Sequence, residues 1–418
     1  MSLFARSYLH RYPLTAKEDQ TVKWKAAVAE AMSLTLFMVL TCGAALAQEA
    51  MSANYEEIAH RIVTTSAHVK FGDKVVISGG KHVIPLIEAL AMEVDNQGGR
   101  VVMLLNSERV MHNYYANVPE QYLGDPGLFT DLIKAADVYI SLPGIEDPKT
   151  VFQGVPDSRI AKASAAGEIV RKALNQSKIR EIDVQVPNQR DAEYAHMDYA
   201  AYQKMQWDAI NADYQQIAQK GNQLKDLLAH SKVVKITSPS GTSFTLSVGG
   251  RPIFVDAGMV NPPSATGTPF LARTATLPGG AVSFAPIETS GSGKIMVPKD
   301  TCQPYEPLTG ASYEFKNGKL INFKAENNGR CFESMLAAGS GAKDMLGSVT
   351  IGLNPALKVI EDTADYRPPN ASGMVFVGLG TNDLLGGNNK TDSGWLIPVS
   401  KATVEVDGKI VIKDGELR

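Results

Sequence analysis

Imidazole and carboxylate side chains are the usual holders of divalent cations and of protons in transit, and in this chain they are unevenly spread. The seven histidines are His10, His60, His68, His82, His112, His196 and His230. All of them precede Ser231, so the later part of the chain cannot build an imidazole-based metal centre from its own residues. Carboxylates are plentiful there. Glu361, Asp362 and Asp365 follow the Asn354-Pro355 pair, Asp383 and Asp392 flank Gly386-Gly387-Asn388-Asn389, and Glu288 follows Pro286-Ile287. Oxygen ligands of this kind suit calcium or magnesium. Their spacing matches no calcium loop, and solvated loop charge is the commoner role for such a cluster.

The other chemistry-bearing patterns are short. Ser290-Gly291-Ser292-Gly293-Lys294 has a glycine-rich look but lacks the leading glycine of a phosphate loop. It also places Ile295 where a magnesium-binding hydroxyl belongs. Gly339-Ser340-Gly341 lacks the outer glycines of a nucleophile elbow and lies in a stretch that reads as helix. Gly79-Gly80-Lys81-His82 opens a helix after a strand, a place where anions bind, although close strand–helix packing accounts for the glycines as well. Met111-His112-Asn113-Tyr114-Tyr115 offers rings to a cleft or to a half-exposed helix face.

The elements that would carry these groups fall into two textures. A helical pattern over Asn54–Lys70 precedes a strand at Lys74–Ser78, which Gly79-Gly80 ends. Apolar residues from Val83 to Val94 recur at helical spacing, and Arg100–Leu105 is a strand. Further helices are expected over Asp125–Ala136 and Ser158–Leu174, with strands at Val138–Leu142 and Ile182–Val186. Alternation of this kind predicts a mostly parallel sheet. Gln203–Leu228 reads as one long helix with Trp207, Ile210, Tyr214, Ile217, Leu224 and Leu228 on a packing stripe. Beyond it the chain is rich in strands and turns. Asn317-Gly318 and Asp407-Gly408 each sit between alternating runs, the strongest short hairpin signal. One helix, over Phe332–Leu346, interrupts the strands.

These textures place a domain boundary near residue 232, giving a leader at 1–47, an α/β domain at 48–232 and a β-rich domain at 233–418. A length of 418 residues with 44% hydrophobic content supports a large core, and a formal charge of -3 offers nucleic acid no basic face. Ala31–Gln48 carries no charge and ends in Ala45-Leu46-Ala47 with Lys23 and Lys25 upstream, the layout of a cleaved signal peptide. A membrane is met only if this leader stays in place as an anchor. Cys42 departs with the leader, which leaves Cys302 and Cys331 as one disulfide candidate in an oxidising compartment.

One run remains. Leu277-Pro278-Gly279-Gly280-Ala281-Val282-Ser283-Phe284-Ala285-Pro286-Ile287-Glu288 reads as a tight Pro-Gly turn, a short strand and a proline that ends the ladder. Asp256-Ala257-Gly258 precedes it. Gly347-Ser348-Val349-Thr350-Ile351-Gly352-Leu353-Asn354-Pro355, Val377-Gly378-Leu379-Gly380 and Val404-Glu405-Val406-Asp407-Gly408-Lys409 follow. In this order and spacing, with the strand–helix–strand of Lys74–Leu105, the chain after the leader resembles the metallopeptidase family that contains aminopeptidases T and S.

The resemblance implies an N-terminal mostly parallel α/β domain, a C-terminal β-rich α+β domain and a homodimer. It also implies two divalent cations held by two Glu, two His and an Asp, which polarise a peptide carbonyl, activate water and hold the free amine. Carried over residue by residue, the first Glu falls on Ala281 and the second on Ser348. The next His falls among Met374, Val375 and Phe376, and the closing His-x-Asp near Ser393-Gly394-Trp395. Asp392 is the one acid left at those positions, and Glu288 is the candidate for a relocated ligand. A ring-opening iron dioxygenase of dihydroxypyridines, hosted by the same fold, resembles a two-His, one-carboxylate site and meets the same shortage.

The expectation is therefore a periplasmic or secreted protein that has lost two-metal hydrolysis. It binds a peptide or small molecule, or acts on one without metal; no cofactor is expected and no catalytic residue is assigned. The alternative is an active leucyl-type aminopeptidase whose divalent metals are held by relocated ligands such as His112 or His196. A second alternative is a structural or assembly dimer.

Overall fold

Aliphatic runs too short for helices build the first layer. In the computed structural model, which describes residues 55–260, 269–302, 306–360, 368–391 and 393–418, five strands form a parallel sheet. They are β1 (Lys74–Gly80), β2 (Arg100–Asn106), β3 (Val138–Ser141), β4 (Arg180–Val184) and β8 (Thr274–Leu277), in the order β2-β1-β3-β4-β8. Side chains alternate across the sheet. Val75, Ile77, Val138, Ile140, Ile182 and Val184 share one buried cluster with Ile58 and Ile62 near the start of the described chain. The same cluster takes in Leu86 and Leu90 of a helix over Ile84–Asn96. On the opposite face Val76 and Tyr139 pack with Ile133, Leu174 and Phe270.

Residues 55–61 lie in helix α1, and the helix over Ile84–Asn96 is α2. Next come α3 (Glu108–Asn117), α4 (Phe129–Ala135), α5 (Pro148–Phe152), α6 (Asp157–Gln176) and α7 (Gln189–Tyr194). The strand expected to end at Gly79-Gly80 runs through both glycines. The long helix expected over Gln203–Leu228 is two, α8 (Tyr199–Ile210) and α9 (Tyr214–Ala229). Asp213 explains the break: its carboxylate accepts the Gln216 N–H at 3.0 Å and caps α9, so the backbone leaves helical geometry there. The packing stripe of those two helices is buried, as its spacing predicts.

Two antiparallel sheets form the remaining layers. The larger has eight strands: β5 (Val234–Thr237), β6 (Ser243–Leu246), β10 (Ser292–Cys302), β11 (Glu306–Lys316), β12 (Lys319–Lys324), β16 (Thr403–Val406), β17 (Lys409–Lys413) and β18 (Glu416–Leu417). The smaller runs β15-β14-β13-β9-β7. Its members are β7 (Ile253–Asp256), β9 (Ala281–Phe284), β13 (Leu346–Gly352), β14 (Val375–Gly380) and β15 (Gly394–Val399). Both predicted hairpins form, with Asn317-Gly318 and Asp407-Gly408 at positive φ as tight turns of this kind need.

The antiparallel sheets bury apolar side chains in a cluster that includes Val282, Phe284, Val349, Ile351, Phe244 and Tyr313. Phe332 stacks edge-on to Tyr313 and Trp395, with ring centroids 5.1 and 5.2 Å apart. It belongs to α10 (Arg330–Ala338), which stops well short of the expected Leu346 because Gly339-Ser340-Gly341 turns the chain into β13. Cys331 is disulfide-bonded; the side chain of Cys302, the partner expected from the sequence, lies outside the described residues. Tyr55–Arg418 cluster as one unit, and the chain returns to the parallel sheet through β8 between β7 and β9. No helix among the described residues is long and apolar enough to cross a membrane. The leader lies outside them.

Candidate active site

Strand register decides which side chains can meet on the smaller antiparallel sheet. Ala281 stands opposite Gly352 on one side and Asp256 on the other, and Ser283 opposite Thr350 and Phe254. Ser348 stands opposite Gly378, and Phe376 opposite Thr350. With a period of two, Ala281, Ser283, Ser348, Thr350, Phe376 and Gly378 therefore share one face with Phe254 and Asp256. Ala281 and Ser348, the positions carried over for the two family carboxylates, are thus brought onto one surface.

The groups on that face satisfy one another. Ser283 and Thr350 hydroxyls hydrogen-bond at 3.0 Å. The Ser348 hydroxyl lies over Gly378, so close that a Cβ there would sit 2.2 Å from its oxygen. Met374 and Phe376 pack with Leu357 and Ala209 in a small apolar cluster. Trp395 does not join them. It pairs with Leu379, whose side points into the core, and its ring packs on Phe332. Ser393 sits just before β15, its hydroxyl 3.3 Å from that of Thr391.

Glu288 is turned elsewhere. Its carboxylate takes Arg251 at 2.6 Å, the Asn388 N–H at 2.7 Å and the Asn382 amide at 3.2 Å. Burial alone would raise its pKa, but these donors and the Arg251 charge outweigh it and hold the group below the ordinary carboxylate range. Asp383 accepts the Leu384 N–H. Glu361, Asp362, Asp365 and Asp392 lie outside the described residues. Among the described residues, no three His, Cys, Asp or Glu side chains are grouped so as to hold a metal ion. His112 is on α3 and His196 is exposed after α7.

The turn that leads into this face is clamped. The Leu277–Pro278 bond is cis. Asn354, fully buried, donates its amide to the carbonyls of Gly279 and Ala209 at 2.7 and 3.0 Å and accepts the Ala356 N–H. Asn370 donates to the Pro278 carbonyl at 2.7 Å. Gly279 lies against Gly258 so tightly that a Cβ would come 2.3 Å from its backbone. Only glycine allows backbones to approach this closely. Asp256 completes the lock, accepting the N–H groups of Gly258 and Thr276 through its two oxygens.

Sequence reasoning missed a row of acids beside the lock. Glu181 and Asp183 alternate along β4 and stand opposite Thr274 and Thr276 of β8. Burial, then the neighbouring Asp183 charge, pushes Glu181 up to about 7. Asp256 is pushed up to about 6, first by burial, with its two N–H bonds pulling the other way and the Asp183 charge adding to the rise. The signal was present in Arg180-Glu181-Ile182-Asp183-Val184, a strand with acids on one face. Nearby, Asp191, raised by burial, joins Gln206, Thr276, Pro278 and Asn370 around a cleft of about 300 Å³. That cleft abuts the clamped turn.

Of the motifs quoted for the resemblance, Asp256-Ala257-Gly258, the Leu277 run and the runs at 347–355 and 377–380 thus meet in one place, as clamp and face. The profile of the M29 family, described as thermophilic metalloprotease, matches residues 51–359. The chain belongs to the M29 family. Its fold is that of wild-type AmpT from Thermus thermophilus, at a TM-score of 0.68 and 15% identity over 87% of this chain and 99% of that one. The 2,5-dihydroxypyridine dioxygenase of Pseudomonas putida KT2440 shares the fold at a TM-score of 0.56 and 14% identity, over 88% and 97% of the two chains. At those identities the likeness is one of fold alone. No curated protein matches. The expected fold class, a mostly parallel α/β part with a β-rich part, therefore holds for this M29 chain, although β8 at Thr274–Leu277 joins the parallel sheet from beyond the expected boundary near residue 232. The described residues at the carried-over positions do not fit the metal pair that the family name implies: they present a methyl, hydroxyls, a thioether and rings, while Asp392, the one acid at those positions, lies outside the described residues.

Proposed function

We propose that this M29-family protein is exported, has lost two-metal peptide hydrolysis, and binds a peptide or small molecule in the cleft beside the clamped turn. One observation carries the reading. Among the described residues, the sheet face that holds Ala281 and Ser348 offers a methyl, hydroxyls that in Ser283 and Thr350 are already paired with each other, and one carboxylate, Asp256, whose two oxygens are occupied by backbone N–H groups. Two divalent cations held together need anionic or imidazole donors to offset their charge. Neutral hydroxyls, a methyl and one occupied carboxylate do not supply them. The cleft at Pro278 and Asn370 supports the binding part, because Gln185, Asp191, Gln206, Thr276 and Asn370 set polar groups among prolines, Val186 and Leu357.

Family membership favours a second reading, an active metal-dependent aminopeptidase with relocated ligands. Hydrolysis of leucyl anilides separates the two. The first reading expects no turnover above buffer, with or without added zinc, cobalt or manganese. Turnover that a chelator abolishes and metal restores establishes the second.

A further inference from the structure

The parallel sheet carries a second cleft, of about 360 Å³, built from different strands. The strand order β2-β1-β3 sends successive crossovers to opposite sides of β1, and the cleft lies at the carboxyl ends of those strands. Open α/β sheets bind ligands at such a switch point. Two sequence patterns that the proposed function leaves unused meet here, Lys81-His82 from the loop after β1 and His112 from α3.

We propose that this cleft binds a small molecule through an oxyanion, either a phosphate monoester or a carboxylate. Lys81 and Arg109 both line it, both are exposed, and neither is in an ion pair among the described residues. Asn106 adds an amide. Two acids also line the cleft: Glu108, which accepts the N–H groups of Glu146 and Asp147 at 2.7 and 2.9 Å through one oxygen, and Glu146. His112 places Nδ1 2.9 Å from the Val151 carbonyl. A carbonyl only accepts, so Nδ1 carries a proton, and Nε2 can donate to an oxyanion only in the imidazolium form.

The two glycines after β1 have different reasons. A Cβ on Gly79 would strike Val83, Ile87 and Leu142, which is strand–helix packing. A Cβ on Gly80 would come 2.8 Å from the Gly144 carbonyl and from the His82 ring. Gly80 has ordinary extended geometry, φ -83° and ψ 174°, so glycine serves space there and not conformation. It is the space that lets His82 lie over the backbone at the cleft.

The full chain labelled with ring-13C histidine tests this by titration with inorganic phosphate and, separately, with acetate. The expected result is a saturable shift of the two imidazole signals that vanish in His82→Gln and His112→Gln. Lys81→Ala and Arg109→Ala, both at exposed positions, weaken that binding by about tenfold each. Gly80→Ala abolishes it. Response to phosphate alone assigns a phosphate monoester, response to acetate alone a carboxylate, and either supports the site. No saturable shift with either anion overturns it. So do shifts that keep their midpoint in both Lys81→Ala and Arg109→Ala.

Discussion

Asn354→Ala is expected to lower the unfolding free energy by about 3 kcal/mol, read as an earlier urea midpoint. The asparagine is fully buried, and its side chain makes three hydrogen bonds, two given to carbonyls and one taken from an N–H. Truncation leaves those backbone groups short of partners in a place water does not reach, and such orphaned groups cost more than the bonds themselves contribute. Asn354→Asp separates this from simple loss of volume. The aspartate has the same shape, yet it sets a carboxylate against the carbonyls of Gly279 and Ala209, so it should be at least as damaging at neutral pH. A loss below about 1 kcal/mol for both variants, the scale of one ordinary net hydrogen bond, would show that the clamp is not what holds the turn.

Glu181→Gln should gain stability over wild type as pH rises. Glu181 moves from 4.5 to about 7 because burial, and after it the Asp183 charge, disfavour its anion. Between those two values the folded chain keeps a proton that the unfolded chain has released. The stabilisation from this group is therefore complete below the unfolded value and is lost as pH climbs through about 7. Glutamine mimics the protonated acid and has no charge to bury. The two proteins should unfold alike near pH 4, and the variant should be more stable by on the order of 2–3 kcal/mol at pH 8.5. Chemical denaturation across that range reads the difference. A constant gap, or one that narrows with rising pH, would refute the assignment. Asp256, pushed up to about 6 with burial as the first cause, adds to the downward slope of wild-type stability between its ordinary pKa and that value.

Legibility in the sequence followed the range of the signal. Strands and hairpins with local signals, such as the buried apolar run of Lys74–Ser78 and the Asn317-Gly318 and Asp407-Gly408 turns, were readable because the backbone needs of a strand or tight turn act within a few residues. The break between α8 and α9 was not, since the apolar stripe continues across it and only the cap at Asp213 interrupts the helix. The assignment of β8 to the parallel sheet was equally hidden, because a four-residue strand gains its place from partners far away in sequence. At the site, the types of Ala281 and Ser348 were plain, but their sharing one face is a matter of register across three strands. The roles of Asn354 and Gly279 in the clamp depend on contacts 75 residues apart for the hydrogen bond to Gly279 and could not be seen from composition. The motifs that make the chain resemble its family thus include residues that hold a turn.

The most direct test of the central claim is metal binding by the chelator-stripped, purified protein, dialysed against zinc or manganese and then analysed for bound metal. Among the described residues, the sheet face around Ala281 and Ser348 carries one carboxylate, Asp256, whose two oxygens are already taken by the Gly258 and Thr276 N–H groups, so the expected result is no tight stoichiometric uptake of either ion. Retention of a metal pair per chain, with leucyl-substrate hydrolysis appearing in step with uptake, would contradict the account.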